Sequence, residues 1–257
     1  MIRAKRLEMI KSLAKSQDVI TWEELQRYLN VSKATVLRDA NILCNTNVLK
    51  KIRGGVIAIQ EADPRELSNA AREITNKQAK QKIATAALEF LHEDSFVMMD
   101  SGSTVLELVR QIPPNTPLTA ITYSLDTAVA MDNKPNIDIF LVGGKLRKEF
   151  GSCHGYFAEN MLSQLHASVC FLGADALSIT NGISGYNMYD MRLKQIMIKN
   201  STKVILLADQ SKFNNNAFIH VAPLDQVDVL ITDAHLNEAT LQEMSRCNIK
   251  VIKVSES

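Results

Sequence analysis

From about residue 95 to its end, the chain repeats one pattern. A short apolar run rich in β-branched or aromatic residues is followed by a stretch with helical spacing. The runs fall at 96–99, 118–122, 137–142, 169–172, 204–208, 229–232 and 251–254, and the helical stretches at 104–112, 124–131, 158–165, 190–199 and 238–246. Strands this apolar need cover on both faces, and alternating helices supply it. The pattern therefore predicts a mainly parallel, Rossmann-like α/β sheet. No GxGxxG turn is present, so a dinucleotide reading has little support. In open sheets of this kind, small ligands sit beyond the carboxyl ends of the strands. Those positions hold "DSGST" after the first run, "GGKLRKEFGSCHG" after the third, "GADALSITNG" after the fourth and "DQSKF" after the fifth.

These segments share a chemistry. Ser101, Gly102, Ser103 and Thr104 form a turn of small residues entering a helix. Such a turn offers backbone N–H groups, hydroxyl donors and the positive helix end to an anion. Taken alone, the same residues serve equally as a plain helix cap. Lys212, after another strand, adds a positive charge if it turns inward and is otherwise a solvated lysine.

Charge divides the chain. Residues 1–60 carry 11 Lys+Arg and 5 Asp+Glu, a net of +6, against 18 and 23, a net of −5, in the remainder. A basic segment joined to an acidic body points to a polyanion partner at the N-terminus. Apolar residues Leu7, Ile10 and Leu13 recur at near-helical spacing and predict a helix ending near Ser16. Thr21 with Glu24 forms a capping box for a second helix. Ser32 starts a third, whose Val36, Ala40 and Leu43 face inward and leave Lys33, Thr35 and Arg38 outside. "NVLKKIRGGVIAI" reads as a hairpin turning at Gly54–Gly55. Helix, turn, helix and basic hairpin make a winged helix-turn-helix. The third helix would enter a major groove, while Lys50, Lys51 and Arg53 neutralise phosphates. Trp22 is expected in the core of this module.

"LQRYLNVSKATVLRDANIL" followed by "VLKKIRGGV" resembles the N-terminal domain of the DeoR family of bacterial transcriptional regulators, through Val31, Ser32, Thr35, Arg38, Asp39, Leu49, Gly54 and Gly55. Leu37 stands where the family usually has a basic residue, Asn47 replaces a glycine and Arg53 replaces a histidine. The later segments resemble the family's C-terminal sensor domain, whose fold is related to ribose-5-phosphate isomerase. The matching features are Asp100 to Thr104, Gly143–Gly144, Ser152 with Gly155, Gly173 to Asp175, Gly182, and Asp209 with Ser211 to Phe213. In the family these line a site for a phosphorylated sugar. Gln210 departs from the usual serine, and "SGYNMYDMRL" lacks the acidic pair often found there.

The resemblance implies residues 1–60 as DNA-binding domain, 61–75 as linker and 76–257 as effector domain. It implies a repressor of carbohydrate genes that binds operator DNA as a dimer or tetramer. The effector site is expected at Asp100, Ser101, Gly102, Ser103, Thr104, Gly143, Gly144, Asp175 and Lys212. The competing reading is an isomerase with an accessory nucleic-acid domain. That chemistry needs a positioned base. The related isomerases place a glutamate and a lysine soon after the Gly-Ala-Asp motif, yet no glutamate occurs between Glu159 and Glu238, and "ALSITNGISGYNMYD" has no lysine and offers only Asp190. This favours binding without turnover. No cofactor or metal is called for. The cysteines Cys44, Cys153, Cys170 and Cys247 form no CxxC pair, and no histidine pairing of the HExxH kind occurs. No membrane-length apolar run or signal peptide is evident, so a cytoplasmic location is expected.

Overall fold

The computed structural model describes residues 3–16, 20–45, 49–52, 54–58, 69–93 and 95–254. The chain forms two compact units, Met1–Pro64 and Arg65–Ser257.

The first unit contains α1 (Arg3–Ser16), β1 (Ile20–Thr21), α2 (Trp22–Leu29), α3 (Lys33–Asn45), β2 (Leu49–Ile52) and β3 (Gly55–Ala58). The capping box is formed: Glu24 N–H donates to the Thr21 hydroxyl at 3.2 Å, and Thr21 N–H donates to Glu24 Oε2 at 2.8 Å. Asn30 closes α2 in the left-handed region, with φ 51°. Ile10, Leu25, Leu29, Val36, Ala40, Leu43 and Val56 make one buried core, with Trp22 packed against it. The three strands pair in the order β1-β3-β2. Gly55 is required by close approach: a Cβ there would lie 2.1 Å from the Ile20 carbonyl oxygen. Asp39, which matched the family motif, is buried on α3 and takes the Arg6 guanidinium at 2.6 Å, tying α3 to α1.

The second unit begins with α4 (Asn69–Ile74) and α5 (Lys77–Ala87). It continues through β4 (Ser95–Met99), α6 (Ser103–Gln111), β5 (Leu118–Thr122), α7 (Leu125–Met131), β6 (Ile137–Leu141), β7 (Lys145–Arg147), β8 (Ser152–His154), α8 (Tyr156–Ser163) and β9 (Ala167–Gly173). The rest is β10 (Ala176–Ser178), β11 (Gly182–Gly185), α9 (Met188–Lys199), β12 (Ser201–Leu207), β13 (Ile219–Ala222), β14 (Val229–Thr232), α10 (Glu238–Arg246) and β15 (Lys250–Lys253).

Seven strands pair in the order β15-β14-β12-β9-β4-β5-β6, all parallel. These are the seven runs read from the sequence. Alternating side chains feed two cores on opposite faces. Met98, Cys170, Leu172 and Leu206 join one, and Val97, Met99, Val169, Phe171 and Ile205 join the other. Both β4 and β9 are central, and the strand order runs outward from them in opposite directions. Their carboxyl ends therefore flank the topological switch point, where a crevice opens. Three features of this unit were not predicted: α4, inside the stretch read as linker, the β7–β8 hairpin, and the small sheet β10-β11-β13. All are short, and none carries a long apolar period. No described helix is long and apolar enough to cross a membrane.

Candidate functional site

The carboxyl ends of β4 and β9 meet through Asp100. Its carboxylate is fully buried and receives the Gly173 N–H at 2.8 Å, the Tyr123 hydroxyl and the Lys194 ammonium. Lys194 also donates to the Gly173 carbonyl at 2.9 Å. Burial alone would raise the Asp100 pKa. The Lys194 charge, with hydrogen bonds from Lys194, Tyr123 and Gly173, outweighs it and holds the carboxyl below its usual range. Burial likewise works against the Lys194 charge, but Asp100, Asp175 and Asp190 together raise its pKa.

Lys194 is the main residue that sequence reasoning missed. It lies four positions beyond Asp190, on the same face of α9, and both are buried. Lys194 falls outside the segment "ALSITNGISGYNMYD", which ends at Asp190. The apolar i, i+3, i+4 pattern of α9 is interrupted by these two charged positions, and that interruption was the available signal.

Around the pair sits a second layer. His154 Nε2 lies 2.8 Å from the Ser152 hydroxyl and 3.4 Å from Asp190 Oδ1. Burial, with help from the Arg147 charge, lowers the His154 pKa to about 4. Burial, with Asp100 and Asp175 nearby, raises Asp190 to about 7. Asp190 Oδ1 is buried and accepts no hydrogen bond among the described residues. Arg147 Nη1 lies 3.9 Å from Asp190 Oδ2.

Toward the other face, Asp175 pairs with Arg72 of α4 at 3.2 Å and accepts the Tyr186 N–H at 3.4 Å. Asp209 follows β12. Its Oδ1 accepts from Asn76 at 3.0 Å and from the Ser211 N–H at 2.9 Å, while its Oδ2 is buried without a partner among the described residues. Lys80 is buried beside it, and burial lowers its pKa, with Asp209 opposing and Lys212 and Arg72 assisting.

The expected site residues separate in this frame. Asp100 is present but enclosed, and serves as the anchor for Lys194. Ser101, Gly102 and Ser103 are partly exposed at the switch point, whereas Thr104 is buried. Gly102 occupies the cap position of α6 and no side chain caps that helix, so the hydroxyls of Ser101, Ser103 and Thr104 are not used as a cap. Gly143 and Gly144 are exposed after β6. A Cβ on Gly144 would lie 2.6 Å from the His154 carbonyl oxygen, which makes that glycine a packing requirement. Lys212 is partly exposed in the turn after β12, next to Asp209.

Two open hollows, of about 580 and 490 Å3, lie elsewhere. One is on the small sheet around Phe218 and His220, and the other is beside Glu73, Arg110 and Lys134. The second is lined by Glu73, Arg110, Asp126 and Lys134, but Arg110 pairs with Glu73 at 2.7 Å and the Lys134 ammonium donates to the Ile112 carbonyl at 2.7 Å. Among the described residues no His/Cys/Asp/Glu cluster could hold a metal.

On the first unit, Ser32, Lys33 and Arg38 are exposed and Thr35 partly so. The Ser32 and Thr35 hydroxyls lie 3.0 Å apart, and the Ser32 carbonyl accepts the Val36 N–H at 3.1 Å. Leu37 is partly buried, and Lys51 is exposed on β2. Lys50 pairs with Ile57 in the hairpin. Arg53 lies outside the described residues.

Residues 6–62 match the DeoR-like helix-turn-helix domain, and residues 75–234 match the DeoR C terminal sensor domain. The chain is 30% identical to the HTH-type transcriptional regulator GlpR of Haloferax volcanii, over 98% of each chain. It is 27% identical to the glycerol-3-phosphate regulon repressor of Escherichia coli (strain K12), over 98% of this chain and 99% of the relative. Among solved structures, ribose 5-phosphate isomerase A from Methanocaldococcus jannaschii is similar at a TM-score of 0.41. It is 17% identical over 54% of this chain and 55% of that one.

Proposed function

Because this chain belongs to the DeoR family of transcriptional regulators, we propose that its second unit binds a phosphorylated sugar or polyol at the β4–β9 switch point and that its first unit binds operator DNA under that control. It is a regulator and not an enzyme: the family matches span both units, and the full-length relatives are named as regulators and repressors. Repression of carbohydrate genes fits the name of the Escherichia coli relative, a regulon repressor, and relief by the effector is our reading of its control.

The single observation that carries the effector site is the uncapped start of α6 at Gly102, facing the end of β9. The Cα of Gly173 lies 3.6 Å from where a Gly102 Cβ would be. Free N–H groups at a helix start, with Ser101 and Ser103 hydroxyls beside them, fit a phosphate. Asp175 fits a sugar hydroxyl as acceptor, and Lys212 supplies a further positive charge at the rim. DNA is read by α3 through Lys33, Thr35 and Arg38, with Ser32 at its start and Lys50, Lys51 and Arg53 of the wing on the backbone. A single helix-turn-helix has a small footprint, so the chain acts as a dimer or tetramer on repeated half-sites.

A thermal-shift screen of phosphorylated sugars on the full chain tests the site. A ligand that binds only the folded state raises the melting temperature. Ser103→Ala with Lys212→Ala is expected to keep operator affinity and lose that shift. A double variant that still responds fully would place the pocket elsewhere.

A further inference from the structure

Helix α4 is bound to the ends of several strands at once. Arg72 Nη2 lies 3.2 Å from Asp175 Oδ1 after β9, with both side chains 16% exposed. Asn69 Nδ2 donates to Asp126 Oδ2 at 2.9 Å, at the start of α7, and to the Phe150 carbonyl at 2.5 Å. The Arg72 guanidinium lies over the Phe150 ring at 5.7 Å, and that of Arg147 lies over the same ring at 3.5 Å. Just past α4, Asn76 holds Asp209 after β12. The Lys80 ammonium donates to the Arg72 and Thr75 carbonyls, which closes the end of α4 onto α5.

We infer that Arg72 belongs to the effector site, and that the Arg72–Asp175 ion pair is the contact through which the effector acts on the DNA-binding unit. This rests on the effector reading above. A polyol phosphate carries hydroxyl donors that a carboxylate accepts and a dianion that a guanidinium holds with paired N–H groups. At 3.2 Å, Arg72 Nη2 and Asp175 Oδ1 form a partly buried ion pair. A ligand that engages both must come between them, and α4 then changes its seat. The first unit ends at Pro64 and α4 starts at Asn69, so the displaced helix is almost contiguous in sequence with the DNA-binding unit. The effector thereby has different affinity for two placements of α4, which is what coupling between sites requires. A polar helix in a linker would otherwise have little reason to be held by side chains from so many loops.

The test uses the full-length protein and a duplex that it selects from random-sequence DNA. Operator affinity and hydrogen exchange of the α4 amides are measured for wild type, Arg72→Ala, Asp175→Asn and the double variant. Each is measured alone and with glycerol 3-phosphate, glucose 6-phosphate or ribose 5-phosphate. Each single variant is expected to change operator affinity about tenfold, in the direction that a binding sugar phosphate changes the wild type. It is also expected to speed exchange in α4, and the double variant to do no more than either single. Unchanged operator affinity in both single variants, or additive effects in the double, would overturn the inference. Arg72→Lys keeps the charge without the fork, and is expected to melt as wild type while losing part of the effect of the sugar phosphate. If none of the three compounds shifts the wild-type melting temperature, the effector reading fails in its ligand class. The comparison of variants without ligand still decides the role of the ion pair.

Discussion

Lys194 of α9 reaches across the switch point to Asp100 at the end of β4, and each is the principal charge partner of the other inside the fold. Two buried charges tolerate removal from water only as a pair with their remaining hydrogen bonds met. Gly173 and Tyr123 meet those of Asp100, so the pair fixes the geometry of the neighbouring turn at Ser101 to Ser103.

Lys194→Met therefore leaves an uncompensated carboxylate in the core. The expected cost is about 3–5 kcal/mol, read as a lower denaturation midpoint of the full chain with an unchanged m-value. Asp100→Asn with Lys194→Met removes both charges and is expected to recover part of that loss. A single variant as stable as wild type would show that the ion pair does not form in solution.

The pair His154 and Asp190 predicts a signed pH dependence. His154 is held at about 4, below its usual value, so its contribution to stability is complete at pH 7 and is lost as pH falls through about 6.5 toward 4. Asp190 is held at about 7, above its usual value. Its contribution is present at low pH and is lost as pH rises from about 4 through 7. In the wild type the two slopes oppose each other across this window. In Asp190→Asn the His154 slope stands alone, so stability relative to wild type is expected to rise with pH between about 4 and 6.5. In His154→Gln the relative stability falls as pH rises over the same range. Urea unfolding at several pH values reads both, and parallel curves for all three proteins would remove these groups from the account.

On the DNA-binding unit, Lys33→Ala and Arg38→Ala are each expected to weaken operator binding by about 1–3 kcal/mol. Leu37→Lys adds a basic group on α3, at a partly buried position next to Arg38. It is expected to steepen the dependence of log affinity on log salt by about one. Fluorescence anisotropy over a salt series measures both effects. Equal affinity in the two alanine variants would sink the placement of α3 in the groove.

The seven parallel strands, the helices between them and the helix-turn-helix were legible because their evidence is local. Short continuous apolar runs, helical spacing between them, a capping box at Thr21 and Glu24, and Gly54–Gly55 at the hairpin turn are written within a few residues of where they act. The polar turns at Ser101 to Thr104 and at Lys212 were legible for the same reason, as segments that follow apolar runs.

What only the tertiary structure decided is which polar groups meet. Strand order is not written in any one segment, and it is the order β9-β4 that brings Gly173 and Asp100 together. Lys194 reads in sequence as a lysine on an amphipathic helix, and Arg72 as a charge in a linker. Each meets an acid far away in sequence, Asp100 for Lys194 and Asp175 for Arg72. Coulomb attraction and hydrogen bonding depend on distance in space and on exclusion of water, and both are set only when the whole sheet has closed. The sequence by itself determined the helix-turn-helix, the seven parallel strands with the helices between them, and the polar turns that follow those strands. The fold turned Asp100 from an expected ligand contact into a buried anchor, left the start of α6 without a side-chain cap, and placed α4 across the loops at the site.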